Sequence, residues 1–574
     1  MKRLFLLLFL TLALGNVFAQ ATYQKLFIAS DSIKALSDDY FAVAKNGKWA
    51  VFKNKTQILD FYYDDIDVLS DGVITFIKNS QAGFADLSGK ILSSANYALD
   101  TPFQMSEDCI LNVFSNGSAL VYDGTRLVLL DKNCKPIKTS DCEIIAKQGN
   151  IVIFKKDGAY GLMDAKGNII AKNKYRRIQS VIAGELYAYT GQKNGVDVLG
   201  LISSDGRELS KAEYDDLTII SKNDKFYVKG FVSTGKQALY DAKGNLLFQP
   251  LYQSVEPTNI ENYYNIVDNT KKGIIGADYS IYVPAEYDNV FVVTPSDDTI
   301  FVAIKENKTY ILSKDGKTID ELNGNIKDFI SYKNNEAIYI ADSMLNYGVR
   351  SSKQGWMVEP KYLDIFADAN GTLVVRQTDK WGAIDFNDNV VIPFEYNKVR
   401  APKNKSYIVY YDGKKNSIVL LQNGKQLEFP KVENVLPLEN AVEYTFKKEK
   451  IRLYLNGKEL KGGFKTISSE KDGLICAEDK KGWTYFNAST LDRAANQYFE
   501  YATAFNNNCA FVIKDKKLAM IDCNFNIIET ILDENYVGNR STAAVLSMSD
   551  KLQKNNLVVK DKNGKATLIK IVKQ

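Results

Sequence analysis

Histidine is absent from all 574 residues, so the chemistry open to this chain runs on carboxylates, thiols and ammonium groups. That absence excludes Ser-His-Asp and Cys-His nucleophile activation, imidazole acid/base catalysis and every zinc site that uses His. Carboxylates recur close to tyrosines: Asp64-Asp65, Asp215-Asp216, and Asp288 after Glu286-Tyr287. Two carboxylates about 5 to 10 Å apart can hydrolyse a glycosidic bond without imidazole. An active site, however, is needed once, and a motif repeated along the chain points to architecture. The expectation is a protein that is not an enzyme, with a histidine-free carbohydrate-active enzyme as the rival. Asp164, Asp241 and Asp385 stand in turn-like segments without the further carboxylates that a calcium cage of six oxygens requires. No metal and no cofactor is expected.

The six cysteines (Cys109, Cys134, Cys142, Cys476, Cys509 and Cys523) show no Cys-x-x-Cys and no zinc spacing. Cys509 and Cys523 bracket two apolar runs separated by Lys514 to Lys517. A hairpin centred on Lys516 sets them opposite one another, at the 4.5 or 5.5 Å typical of facing Cα atoms, within reach of a disulfide. A bridge, or two neighbouring thiols, is expected there.

The elements that position these residues repeat. The stretch Lys380-Trp381-Gly382-Ala383-Ile384-Asp385 runs through a turn to Pro393-Phe394-Glu395-Tyr396, and weaker copies lie along the chain. Tyr160-Gly161 precedes Tyr175 by the same interval as Trp381 precedes Tyr396. So do Leu199-Gly200 before Tyr214, Lys272-Gly273 before Tyr287, Tyr347-Gly348 before Tyr362, and Trp483 before Tyr498. Ala82 keeps this interval to Tyr97, and Gln237 keeps it to Tyr252. Adding Trp49 and the degenerate positions 127, 309, 417, 450 and 518 gives about fourteen units of roughly 36 residues, a period of solenoids and propellers. Each unit carries alternating strands and a turn such as Asp-Ala-Lys-Gly-Asn, present at 164–168 and 241–245. No apolar period of 3.6 persists. The fold expected is all-β: three- to four-stranded units, propeller-like, two seven-bladed rings or an open superhelix. The Trp and Tyr positions are expected to fill the core between units. The following glycine marks a close backbone approach.

At Lys380–Asp385 and Pro393–Tyr396 the chain resembles the WG (KWG) repeat family of bacterial proteins. Gly47-Lys48-Trp49-Ala50-Val51, Gly158 to Asp164 and Pro284-Ala285-Glu286-Tyr287-Asp288 are similar to further copies. The resemblance implies repeated β units and supplies no catalytic residues.

Composition agrees with strands: 34 Tyr and 29 Phe against 11 Pro. The net charge of +4 with interspersed signs is no nucleic-acid footprint. Residues 1–19 have the pattern of a secretory signal peptide, with Lys2-Arg3, the apolar run Leu4 to Leu14 and Val17-Phe18-Ala19 before Gln20. A lead at 20–40, a repeat array at 41–536 and a cap at 537–574 are expected to follow. These features suggest a periplasmic or secreted surface that binds or scaffolds an unknown protein or glycan of the cell envelope, without stable membrane insertion.

Overall fold

A sheet of about 36 residues cannot bury both of its apolar faces alone, so neighbouring units must cover each other. The structure, a computed structural model, describes residues 22–532 apart from 38, 104, 106–108, 140, 369–370, 422 and 507, together with 556–560 and 566–572. The expected signal segment and most of the expected cap lie outside the described residues. Among the described residues there is no α-helix, and a 3-10 turn at Pro295–Asp297 is the only helical element. The fold is all-β and built of repeats, and it is propeller-like.

Most sheets have four antiparallel strands paired in chain order, here called a to d. Residues 364–396 show the plan. Strand a is Asp364–Ala367, b is Leu373–Gln377, c is Lys380–Ile384 and d is Val390–Tyr396. Strand a stands in front of the strands that the repeat pattern reveals. The first such sheet therefore starts at Ser32, inside the segment expected to be a lead. Thr22–Ser30 pairs with Ala566–Val572, which also pairs with Asn556–Lys560.

The chain divides into two compact units, one of residues 67–446 with 455–457 and the other of 1–66, 447–454 and 458–574. Within the first, consecutive sheets lie face on face. Val290, Phe301 and Ala303 pack against Ile274 and Val283 of the sheet before, and Ile300 and Ile311 against Ala337, Tyr339 and Ala341 of the sheet after. Within the second, Cys476 and Tyr485 pack against Val512, Ala519 and Ile521. Full burial of one such side chain contributes about 1.5–3 kcal/mol, so the stacking faces carry the fold.

The constant interval between the Trp and Tyr positions is a cross-strand pair with a bulge inside it. Trp381 faces Tyr396 while Ala383 faces Ile392, so two steps on strand c (381 to 383) match four on strand d (392 to 396). Tyr160 and Tyr175, and Tyr347 and Tyr362, pair in the same way. Trp49 faces Tyr63, Leu199 faces Tyr214, and Lys272 faces Tyr287. The bulge folds strand d over the glycine. A Cβ on Gly382 would meet the carbonyl oxygen of Ile392 at 2.6 Å and Cδ1 of Phe394 at 3.0 Å. Pro250, Pro284, Pro360 and Pro393 all lie within these bulges, where a missing N–H costs no ladder bond.

Three registers differ from expectation. Trp483 pairs with Phe499 rather than Tyr498, whose hydroxyl instead bonds Asp479 at 2.9 Å. Leu127 lies on a strand d, Leu127–Asp131, and not on a strand c. The final hairpin turns on two residues, Asp515 and Lys516, both with positive φ, so Cys509 faces Asp522 and not Cys523. A slip of one residue sends side chains to opposite faces. Cys523 accordingly packs beside Ile521 and Ala519, while Cys509 is absent from that cluster. All six cysteines stand as free thiols, and Cys509, whose pKa is raised by burial first and Asp472 next, still has Cys523 near enough to add to that rise.

Side chains also tie one sheet to the next. The Tyr175 hydroxyl donates to Glu208 at 2.9 Å, and Lys174 pairs with the same carboxylate at 2.8 Å. Tyr362 and Lys361 grip Asp388 likewise. A Lys-Tyr dipeptide at the end of strand d thus holds an acid of the following sheet.

Three outcomes follow from this geometry. Gly382→Ala is expected to lower stability by about 1–3 kcal/mol through overpacking, seen in denaturant unfolding of the intact chain. An unchanged midpoint would remove the bulge from its structural role. Alkylation without reduction is expected to label all six thiols in denaturant; a resistant pair at Cys509 and Cys523 would contradict the register. The Lys174 ammonium, against some desolvation and helped by Tyr175, holds the Glu208 carboxyl below the usual range. A depressed carboxylate contributes stability that is whole above the unfolded pKa of about 4.3 and fades as pH falls through the folded value. Glu208→Gln should therefore be less stable than the parent at pH 7, and the gap should close below about pH 4. A gap that persists into acid would argue against the ion pair.

Candidate binding groove

The first three residues of strand a do most of the local work. The first residue caps the second: Asp65 accepts the Ile66 N–H at 2.8 Å, Asp364 that of Ile365 at 2.9 Å, and Asn289 that of Val290 at 3.2 Å. In three sheets a basic residue of strand a, third in Ser32–Ala35 and Lys398–Arg400 and second in Ile326–Lys333, reaches the next sheet. Lys34 bonds Asp65 at 2.6 Å and the Ile66 carbonyl at 3.3 Å. Lys327 bonds Asp364 and, at 2.8 Å, the Ile365 carbonyl. Arg400 does the same to Asn434 and Val435. Strand a has an open edge, and open edges invite pairing by other chains. In these three sheets a cation from the preceding strand a covers the edge.

The same lysines lie on the aromatic ring of their own strand c. Lys34 Nζ is 4.5 Å from the Trp49 ring centre, and Lys327 Nζ is 4.8 Å from that of Tyr347. Arg376 over Trp381 and Lys155 over Tyr160 are variants supplied by strand b. Such contacts are worth about 0.5–1 kcal/mol where exposed. Trp49, Tyr160, Tyr287, Tyr347, Trp381, Trp483 and Tyr498 are half-buried, while Gly161, Tyr175, Tyr214, Tyr362, Gly382 and Tyr396 are buried. The Trp position is thus a ring under a cation at the margin of the core, and the Tyr position lies inside it at 175, 214, 362 and 396 but not at 287 and 498.

Two neighbouring sheets break this pattern. In residues 289–322 the third residue of strand a is Phe291, and the Trp position holds Thr309. Phe291 is 47% exposed. A groove of about 750 Å³ opens there, lined by Phe291, Val293, Thr309, Asn325, Ile326 and Phe329 among others. In residues 254–287 the third residue is Glu256 and the Trp position holds Lys272. A second depression of about 310 Å³ lies between Glu256, Lys272, Asn289 and Phe291. Phe291 lines both. Loss of a cation and of a ring in one sheet leaves a space that its neighbours fill.

The charges around this groove are engaged within the protein. Lys229 pairs with Glu256, Lys272 donates to Asn289 at 3.0 Å, and Lys327 is held by Asp364. Asp328 accepts its neighbour's N–H at 2.9 Å and lies 3.9 Å from Lys405. Exposed Phe291, half-buried Phe329 and the neutral side chains of Asn259, Asn265 and Ser254 remain at the walls.

The carboxylates singled out by sequence are placed elsewhere. Asp64 bonds Lys48 at 2.5 Å, Asp65 bonds Lys34 at 2.6 Å, and Asp288 bonds Lys271 at 2.5 Å. The Lys271 bond, with the Glu306 backbone N–H, holds the Asp288 carboxyl below its usual range. Asp216 accepts the Thr218 hydroxyl at 3.5 Å. Asp164, Asp241 and Asp385 spend both oxygens on their own turns: Asp385 accepts the backbone N–H groups of Asn387 and Asn389 at 2.8 and 2.9 Å, and the Asn389 amide at 2.9 Å. Those bonds, led by the Asn389 side chain, lower its pKa. Among the described residues no group of three or more acids or thiols is arranged to hold a metal, and no helix is long and apolar enough to cross a membrane. Sequence reasoning placed Thr309 among the degenerate Trp positions and missed Phe291, whose strand a carries no repeat signature. At that position of strand a the chain carries Lys34, Lys327 and Arg400 in three sheets but Phe291, Phe366 and Leu436 in others, so residue type alone did not mark the groove.

The fold can be set beside known proteins. Among solved structures, a eukaryotic initiation factor aligns with a TM-score of 0.27 at 11% identity, covering 55% of this chain and 95% of its own. The extracellular domain of a one-component system from B. thetaiotaomicron gives 0.18 at 10% identity, covering 89% and 84%. PorZ, a surface component of the type-IX secretion system of Porphyromonas gingivalis, gives 0.17 at 11%, covering 95% and 86%. Scores this low carry no argument about role. No curated protein matches the sequence. One family does, the WG-containing repeat, over residues 381–414. That stretch holds Trp381-Gly382, the bulged strand with Pro393 and Tyr396, and the start of the following sheet, and it is similar to the WG-containing repeat.

Proposed function

We propose that the chain is an exported protein of the cell envelope, periplasmic or secreted, that binds or scaffolds a protein or glycan and catalyses no reaction. The observation that carries the reading is the interrupted clamp at residues 289–322. There Phe291 stands exposed in a groove of about 750 Å³, in the position from which Lys34, Lys327 and Arg400 in three other sheets reach the edge of the sheet that follows. Binding surfaces use such exposed aromatic anchors beside neutral hydrogen-bonding groups. Export rests on the leader-like residues 1–19. Against the rival enzyme stand Asp64, Asp65 and Asp288, each holding a lysine.

The test is saturation binding of the labelled mature chain to isolated cell envelopes. The parent should bind saturably, and Phe291→Ala should weaken it at least tenfold while leaving the melting curve unchanged. Equal binding by both proteins would overturn the reading. The exported protein should begin at Gln20 by N-terminal mass spectrometry; retention of Met1 in a membrane fraction would contradict export.

A further inference from the structure

Resting on the reading of the groove as a binding surface, we infer that its occupant is an extended peptide added as a strand to the open edge of Asn289–Val293.

The edge is the first argument. The second residue of a strand a turns both its N–H and its C=O outward, as shown by Ile66 and Ile365, whose N–H groups bond Asp65 and Asp364 and whose carbonyls bond Lys34 and Lys327. Val290 is the equivalent residue, and its N–H is met by Asn289. The residue that would cover its carbonyl is Glu256, which has the wrong charge and is turned to Lys229. Among the described residues no side chain bonds the Val290 carbonyl or either backbone group of Val292. An antiparallel partner would take up these groups with ordinary ladder bonds.

The second argument is the pair of depressions. Val290 packs toward the preceding sheet and Val293 toward the following one. A strand placed on this edge continues the sheet between its two neighbours, so its side chains alternate between them. One set would meet the space of about 750 Å³ at Phe291, Ile326 and Phe329; the other, the space of about 310 Å³ at Ser254, Glu256 and Asn265. The larger side suits bulky apolar residues. The smaller suits small or polar ones. Because Lys327, Lys272 and Glu256 already have partners, the peptide needs no net charge.

The third argument is that the edge is closed where the groove ends. Ser296 accepts the Tyr332 N–H at 3.3 Å, and Thr309 donates to the Gly324 carbonyl at 2.7 Å. The opening is therefore a few residues long, the length of a linear motif.

The test uses the full mature chain and a displayed library of random decapeptides, with the best binder then synthesised and measured by fluorescence anisotropy. Alternating apolar and small or polar positions are expected in the selected sequences. Single N-methylation along the peptide should weaken binding at least tenfold at every second residue and little between them. Phe291→Lys, which removes the aromatic wall shared by both depressions and sets a charge there, should abolish binding, with Phe291→Ala intermediate and both variants melting like the parent. A flat N-methyl scan would overturn strand addition. Cellohexaose binding that is lost in Phe291→Lys, with no peptide selected, would overturn the peptide while leaving the groove as a binding surface. Binding of either probe that survives Phe291→Lys, or binding of neither, would overturn both.

Discussion

Two apolar faces and an uncovered strand edge on every repeat are the constraint from which this structure follows. The faces are dealt with by stacking. Val290 and Ile300, on one sheet, meet neighbours on its two sides. The edge is harder, because its N–H and C=O groups need partners that face burial cannot supply. At three edges the chain answers with side chains: an acid or amide beside the N–H, and a lysine or arginine from the preceding repeat for the carbonyl. Since the cation also lies on the aromatic of its own strand c, one side chain links three elements.

This accounts for an acid-rich, lysine-rich composition with so little apparent chemistry. Carboxylates that look paired for catalysis are paired with ammonium groups, and those in turns are saturated by backbone N–H donors. Most of these pairs are at least a third exposed, so each contributes little and salt will screen it. Their effect on specificity is larger than their effect on stability. A bonded edge carbonyl is no longer a template for another chain.

The repeat, its period and its all-β character were legible in the sequence because they rest on large residues at fixed spacing. Trp381, Gly382 and Tyr396 mark a cross-strand pair, a close approach and a bulge, and each leaves a residue type behind. Strand a left none. It has three residues at Lys398–Arg400 and eight at Ile326–Lys333, with no marker residue in common, and its chemistry lies in contacts 31 to 38 residues away. The last hairpin failed for another reason. A run of Lys-Asp-Lys-Lys does not declare which two residues take positive φ, and one step of error moved Cys523 to the other face from Cys509. The groove itself was legible only as loss: Thr309 was a degenerate copy, and the meaning of that degeneracy needed the neighbouring Phe291.

Degeneracy in such an array is thus of two kinds. Replacing Trp by Leu at 199 keeps an apolar contact with Tyr214 across the strands, and the stack continues. Replacing it by Thr309 while the cation becomes Phe291 removes a ring, a charge and an edge cover together, and the space is left at the surface. A drift toward looser packing would not be expected to place a half-exposed phenylalanine at the opening, since its transfer to water is unfavourable by a few tens of cal/mol per Å². The surrounding parts are also secured: Lys272 holds Asn289, Ser296 holds the end of Ile326–Lys333, and Lys327 resumes the clamp one sheet later. A repeat protein can bond a strand edge with side chains, as at Ile66, Ile365 and Val435, and it can present a site where an edge is left unbonded beside a groove.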